Sequence, residues 1–164
     1  MFVLKRRGNM AKIEIKRAKP GDLSTIQALN SQLFELEIKN FDPQLIAEWP
    51  FTAEGGGYFA DAIKNSCALI AYVDSLAIGY LVGSKLKLTY NKLNLAELDN
   101  MFVLQDYRKL GVGKKLINEF CDFAKQRWGT EGFRVTASAK NQAALNFYRK
   151  MGFEDFDITL HLKG

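Results

Sequence analysis

Alternating charged and apolar residues over Lys12–Arg17, with Ile13 and Ile15 on one side, predict a half-buried strand near the start of the chain. Pro20-Gly21 turns the chain, and Asp22 stands where a helix N-cap belongs, ahead of Leu23, Ile26, Leu29 and Leu33 at three- to four-residue spacing. That spacing gives a helix with one apolar stripe. Asp42-Pro43 opens a second short helix, Gly55–Gly57 interrupts it, and Tyr58, Phe59, Ala62 and Ile63 predict a further helical piece. Two apolar, β-prone runs, Cys67–Val73 and Ala77 to about Leu88, flank Asp74-Ser75 and read as a hairpin. Leu95–Leu104 is the next strand, and a strict period of two puts Glu97 and Asp99 on the face of Met101, opposite Leu98, Asn100 and Phe102. A long helix from about Leu110 to Trp128 buries Val112, Leu116, Ile117, Phe120, Ala124 and Trp128, and Gly129 and Gly132 end it. A strand over Phe133–Ala139, a helix over Asn141–Met151 closed by Gly152, and an extended Phe153–Lys163 with alternating Ile158, Leu160 and Leu162 complete the chain. The order β, α, α, ββ, β, α, β, α, β describes an α/β fold whose mixed sheet carries helices on both faces.

Composition narrows the class. The 164 residues, 48% hydrophobic and 25% charged, fit one globular domain over residues 11–164, with residues 1–10 as an extension ahead of the first regular pattern. A chain of about 150 residues buries roughly 70% of its unfolded surface and needs no covalent staples. Cys67 and Cys121 each sit in an apolar stretch without a CxxC or Cys/His cluster, which argues against a disulfide framework and a metal site. MFVLKRRGNM reverses the order of a secretory signal and no apolar run approaches a membrane span, so the chain reads as cytoplasmic with no membrane partner. The net charge of +5 calls for an anionic partner. Its distribution is uneven: residues 108–150 hold ten bases against three acids (+7), and residues 35–61 hold six acids against Lys39 (−5).

The basic region contains a turn with chemistry. Val103 to Leu116 reads VLQDYRKLGVGKKL, a strand that passes through Gly111 and Gly113 into a helix. Unpaired amides and the positive dipole end at a helix N-terminus suit a phosphate or pyrophosphate, and glycine lets the anion approach. A Walker A loop would need Gly at 108 and Ser or Thr at 115, where Arg108 and Lys115 stand. A dinucleotide fingerprint would need a third glycine at 116, where Leu116 sits.

Arg108-Lys-Leu-Gly111-Val-Gly113 instead resembles the Arg/Gln-x-x-Gly-x-Gly/Ala pyrophosphate motif of the GNAT superfamily of N-acetyltransferases. Asn141-Gln-Ala-Ala-Leu-Asn-Phe-Tyr148 through Gly152-Phe153 is similar to that family's second signature, and Ile15–Ala18, Asp22, Val73-Asp74 and Ile78-Gly79 resemble its opening elements and hairpin. The resemblance spans about Ala11 to Phe153 in the family's element order. It implies a mixed, mostly antiparallel sheet of six to seven strands flanked by about four helices.

The resemblance also implies roles. The coenzyme A diphosphate of acetyl-CoA would lie on Arg108, Lys109, Leu110, Gly111, Val112, Gly113 and Lys114, and the pantetheine arm along Met101, Phe102 and Val103 as an added strand. Met101 N–H would then support the tetrahedral oxyanion. Glu97, six residues before Val103, takes the place of the strand glutamate that draws the amine proton through water; Asp99 is the rival base or the ligand of the substrate ammonium. Tyr148 falls at the general acid, and Asn141 at a helix cap within reach of the pantetheine amide. His161 belongs to the wet face of the terminal segment, and Cys121 reads as a small core residue. No metal is called for.

The acceptor is open at this point. The acidic stretch 35–61 (Glu35, Glu37, Asp42, Glu48, Glu54, Asp61), with Glu154, Asp155 and Asp157, points to a cationic amine, either a small molecule or a peptide. A solvated helical face explains the same charges. Two rivals remain: an acyl-CoA sensor in which Glu97 and Tyr148 are idle, and a nucleic-acid-binding module, which leaves the glycine turn and the second signature unexplained. These motifs do not choose between monomer and homodimer.

Overall fold

The computed structural model describes residues 12–162 and 164; the extension expected at residues 1–10 lies outside them. A single sheet in the order β1-β2-β3-β4-β5 divides the molecule. Its strands are β1 (Glu14–Arg17), β2 (Cys67–Val73), β3 (Leu76–Leu86), β4 (Leu95–Val103) and β5 (Gly132–Val135), and the helices are α1 (Leu23–Asn40), α2 (Ala53–Asn65), α3 (Val112–Trp128) and α4 (Gln142–Lys150). Neighbouring strands are antiparallel except β4 and β5, which are parallel.

Each face of the sheet has its own core. Ile26 and Leu29 of α1 and Phe59 and Ile63 of α2 pack with Ile70, Tyr80, Val82 and Phe102 on one side. Leu116, Phe120 and Ala124 of α3 pack with Leu69, Leu81 and Leu98 on the other, where Phe147 and Tyr148 of α4 join them. Burying a side chain such as Leu116 or Phe120 contributes about 1.5–3 kcal/mol.

Several expectations change, among them the strand expected over Phe133–Ala139, which ends at Val135. The sheet has five strands, not six or seven, because Phe153–Lys163 forms no ladder among the described residues. Phe156, Ile158, Leu160 and Leu162 are all at least 80% exposed. Alternation supplies that segment with an apolar face but no surface to cover it. Its first residues are held by charge instead, with Arg149 at 2.7 Å from Asp155 and Arg134 at 3.6 Å from Asp157.

A further change concerns Gly55–Gly57. These glycines do not interrupt a helix; they lie in the first turns of α2, which Thr52 caps by accepting from Gly55 N–H at 3.1 Å. A Cβ at position 55 would overlap the Trp49 carbonyl, so glycine lets α2 start against the short 3-10 turn Trp49–Phe51. Residues from Asp42-Pro43 onward make turns rather than the expected helix.

The last change matters most for function. In the β3–β4 ladder Val82 faces Asn100 but Gly83 faces Leu98, so Asp99 is an extra, unpaired residue, a β-bulge. Beyond it the period of two is reset. Met101 packs with Leu98 and Ala96 toward α3, whereas Glu97, Asp99 and Asn100 line one cleft beside α2. Glu97 and Asp99 therefore do not share the face of Met101.

Candidate active site

Past β4 the chain makes a 3-10 turn (Gln105–Tyr107) and enters α3 through two left-handed residues, Lys109 (φ 63°) and Gly111 (φ 82°). Only the second is glycine, and a Cβ there would meet nothing within 4 Å. Its identity serves the backbone angle and not a packing need. Helix α3 thus starts at Val112, two residues later than its apolar pattern predicts. Lys115 N–H donates to Gly111 C=O at 3.0 Å, the first bond of the helix, which leaves the amides of Val112, Gly113 and Lys114 without helical partners. Gly113 also lets α4 approach: a Cβ there would lie 3.0 Å from the Phe147 ring. Lys109, Leu110 and Lys114 are exposed around these amides.

Arg108 is placed differently from its neighbours. Its Nε donates to Val103 C=O at 2.9 Å, and its guanidinium lies 5.5 Å from the Phe102 ring centroid. It braces the end of β4 as well as adding charge beside the turn.

Strands β4 and β5 pair only over Leu95–Leu98 and Gly132–Val135, after which β5 ends and, among the described residues, Asp99–Val103 has no strand on that side. Leu104 N–H donates to Ile78 C=O at 2.9 Å on the β3 side. Antiparallel alternation turns Phe102 N–H the same way and Met101 and Val103 N–H toward the open edge. The Phe102 side chain is buried in the α1–α2 core. The open edge and the α3 amides are two sets of backbone donors separated by the turn, where Leu104, Tyr107 and Arg108 N–H are already bonded.

On the α2 side of β4, Tyr58, Asp61, Ala62, Ser66, Ser84, Glu97, Asp99 and Asn100 line a cleft of about 420 Å³. Burial pushes the Asp99 carboxyl up to about 6. A bond from Ser84 Oγ (3.1 Å) opposes the rise, the charge of Glu97 adds to it, and the Tyr58 hydroxyl opposes it. Among the described residues no Lys or Arg lines the cleft. A second depression of about 460 Å³, between the outer face of α1 and the end of β4, has mixed charge from Glu35, Lys39 and Arg108.

Helix α4 brings Asn141 and Tyr148 to the opposite side. Asn141 Oδ1 caps α4 by accepting from Ala144 N–H at 3.0 Å, and its Nδ2 reaches Glu37 Oε1 of α1 at 3.5 Å. Tyr148 makes edge-on contacts with Phe147 and Phe153. Burial, and then the Glu37 charge, push its phenol up to about 12. Burial likewise raises Glu37, against the Asn141 bond.

Glu37, Tyr58, Ser84 and Asn100 were not singled out by the sequence as site residues. The acidic stretch contained Glu37 and Asp61, but the fold sends them to different places rather than into one patch: Glu37 to Tyr148, Asp61 to the cleft, Glu35 to the second depression. Ser84 and Asn100 carried no local signal. His161 is exposed in the terminal segment and Cys121 packs at the α3 core. Among the described residues no group of three His, Cys, Asp or Glu could hold a metal ion, and no helix is long and apolar enough to cross a membrane.

Comparison with known proteins gives a consistent picture. A family model described as the acetyltransferase (GNAT) family matches residues 30–153. An uncharacterized N-acetyltransferase of Methanocaldococcus jannaschii is 34% identical over 67 residues, 41% of this chain and 29% of that protein's own length. A thialysine N-epsilon-acetyltransferase of Sus scrofa is 28% identical over 154 residues, 89% of this chain and 86% of that one. The solved structure of aminoglycoside N-acetyltransferase AAC(6')-Iy in complex with CoA superimposes with a TM-score of 0.75 at 19% identity, covering 98% of this chain and 99% of that one.

Proposed function

The chain belongs to the GNAT family of acetyltransferases, and from that premise we propose that it transfers the acetyl group of acetyl-CoA directly to a primary amine on a cationic small molecule or peptide. The observation that carries the reading is the free edge of β4 followed, after one turn, by the open amides of α3, with a carboxylate cleft beside α2 and a buried phenol on α4. Val112, Gly113 and Lys114 N–H suit a diphosphate, with Lys109 and Lys114 as counter-charges. Met101 and Val103 N–H suit an extended amide-bearing arm laid beside the strand.

Glu97 takes the amine proton through water, and the amine nitrogen attacks the thioester carbonyl to form the C–N bond. The carbonyl oxygen gains negative charge near Met101 N–H, a type of donor whose loss costs about 2.7–4 kcal/mol in comparable sites. As the C–S bond breaks, Tyr148 gives its proton to the leaving thiolate, and the proton that the acetylated nitrogen then loses restores the phenol. A phenol held at about 12 is fully protonated at neutral pH and is available for that step. Asp99 binds the incoming ammonium. One observation favours a second reading in which Asp99 is the base: burial brings its carboxyl to about 6, within range of the working pH of a general base.

The cleft supports a cationic acceptor because Asp61, Glu97 and Asp99 line it with no compensating base among the described residues. The relatives' names, with thialysine and aminoglycosides among their substrates, point the same way. The test is thiol release from acetyl-CoA with a linear polyamine as acceptor, in wild type, Glu97→Gln, Asp99→Asn and Tyr148→Phe. The reading expects losses of about 10²–10⁴-fold for the acid and base variants. Undiminished rates in Glu97→Gln and Tyr148→Phe contradict the roles, and the larger loss in Asp99→Asn than in Glu97→Gln selects the second reading.

A further inference from the structure

Behind the acidic cleft lies a chain of polar side chains that the transfer reaction above does not use. Asn30 of α1 is fully buried and donates from Nδ2 to Tyr80 Oη of β3 at 2.7 Å and to Asn100 Oδ1 of β4 at 2.9 Å. Tyr80, also fully buried, donates to the same Asn100 oxygen at 3.3 Å. Asn100 Nδ2 in turn donates to Tyr58 Oη of α2 at 3.0 Å. The chain links both helices of one layer to strands β3 and β4 and ends at a hydroxyl in the cleft wall.

Stability alone does not account for it. Asn30 Oδ1 is buried with no hydrogen-bond partner among the described residues, which typically costs about 1–3 kcal/mol and which an apolar residue at that position would avoid. The direction of the bonds gives the chain a purpose. Because Tyr58 Oη accepts from Asn100, its own proton is directed elsewhere, and the Asp99 carboxylate lines the same cleft as that hydroxyl. Tyr58 is further fixed as a ring by Trp49 (5.7 Å) and Phe59 (5.0 Å).

We propose that Tyr58 is the positioning residue of the acceptor site: the Asn30–Tyr80–Asn100 relay locks its hydroxyl, and that hydroxyl holds the bulged Asp99 carboxylate toward the incoming amine. The inference rests on the cleft being the acceptor site, and it assigns the orientation of Asp99 to a residue three elements away in the chain. The charged and titratable groups that face Asp99 are Tyr58 and Asp61 from α2 and Glu97 from its own strand, with Ser84 as the neutral donor from β3. A hydroxyl that donates to a carboxylate favours its charged form, so removing the donor raises the carboxyl further.

The experiment is a carbon NMR titration of the protein labelled at aspartate carboxyl carbons, with the Asp99 resonance assigned by its loss in Asp99→Asn. No acceptor or acetyl-CoA is present. Tyr58→Phe keeps the ring and its aromatic contacts and is expected to move the Asp99 midpoint up by roughly half a unit or more. Asn30→Leu, which touches Asp99 nowhere, is expected to move it in the same direction. An unmoved midpoint in Tyr58→Phe overturns the proposal, and a shift in Tyr58→Phe with none in a folded Asn30→Leu overturns the relay. Because turnover is not the readout, a shifted midpoint in a protein that acetylates no amine would refute the acetyltransfer reading and leave the positioning intact.

Discussion

Ser84 Oγ of β3 lies 3.1 Å from Asp99 Oδ1 of β4, across the point where the ladder slips by one residue. The bulge turns the Asp99 carboxylate into the cleft, and the serine is the neutral donor that keeps it ionisable there. Ser84→Ala removes that donor, so the Asp99 carboxyl rises above its present value of about 6. Both roles open to Asp99 need the carboxylate. The acidic limb of kcat/KM is therefore expected to move to higher pH, by roughly half a unit, in a pH profile of thiol release.

Asp99 also links pH to stability. Its folded-state pKa lies above the unfolded value, so the group is neutral in both states below about pH 4. Between that pH and about 6 the unfolded chain ionises first and gains on the folded one, and above about 6 the penalty is constant. Asp99→Asn is expected to raise the melting temperature at pH 8 and to leave it unchanged at pH 3.5. The gain is at most about 1–2 kcal/mol once the partial exposure of the carboxyl is allowed for.

Gly111 tests the turn. Its φ of 82° and the empty space around a substituted Cβ separate backbone strain from collision. Gly111→Ala is expected to cost about 1–2 kcal/mol in thermal unfolding and to weaken coenzyme A binding measured by calorimetry. Gly129→Ala, with φ 62° at the other end of the same helix and also free of neighbours, is expected to cost similar stability without the loss of binding.

Glu37 stands beside the phenol from a helix more than a hundred residues away in sequence. Its negative charge opposes tyrosinate formation, so Glu37→Gln lowers Tyr148 from about 12 toward its ordinary value near 10. A general acid must be protonated to act. The alkaline fall of kcat is expected to begin at lower pH in Glu37→Gln, and Glu37→Asp is expected to restore part of the range.

What was legible in the sequence follows from how local each signal is. The α3 stripe from Val112 to Ala124, the Asn141 cap, the Asp74-Ser75 hairpin and the glycine turn are encoded within a few residues and stand in the fold as read. The bulge at Asp99 was not legible, because a one-residue slip leaves no mark on a strand that carries both polar and apolar residues on each face. It reversed the assignment of Glu97 and Asp99 relative to Met101. The terminal alternation at Ile158, Leu160 and Leu162 described a face, and no pattern within the segment could say whether another element would cover it. Glu37, Tyr58, Ser84 and Asn100 reach the site from α1, α2, β3 and β4, so only the folded topology brings them together.

The central claim, acetyl transfer from acetyl-CoA to a cationic amine, is tested most directly by initial rates of thiol release across amines of matched length, carrying a second ammonium, a hydroxyl or a carboxylate. The account expects the diamine to have the highest kcat/KM and the carboxylate-bearing amine the lowest, with acetylated diamine formed in equal amount to free thiol. Equal rates for all three, or no turnover with any amine while acetyl-CoA binds, would contradict it.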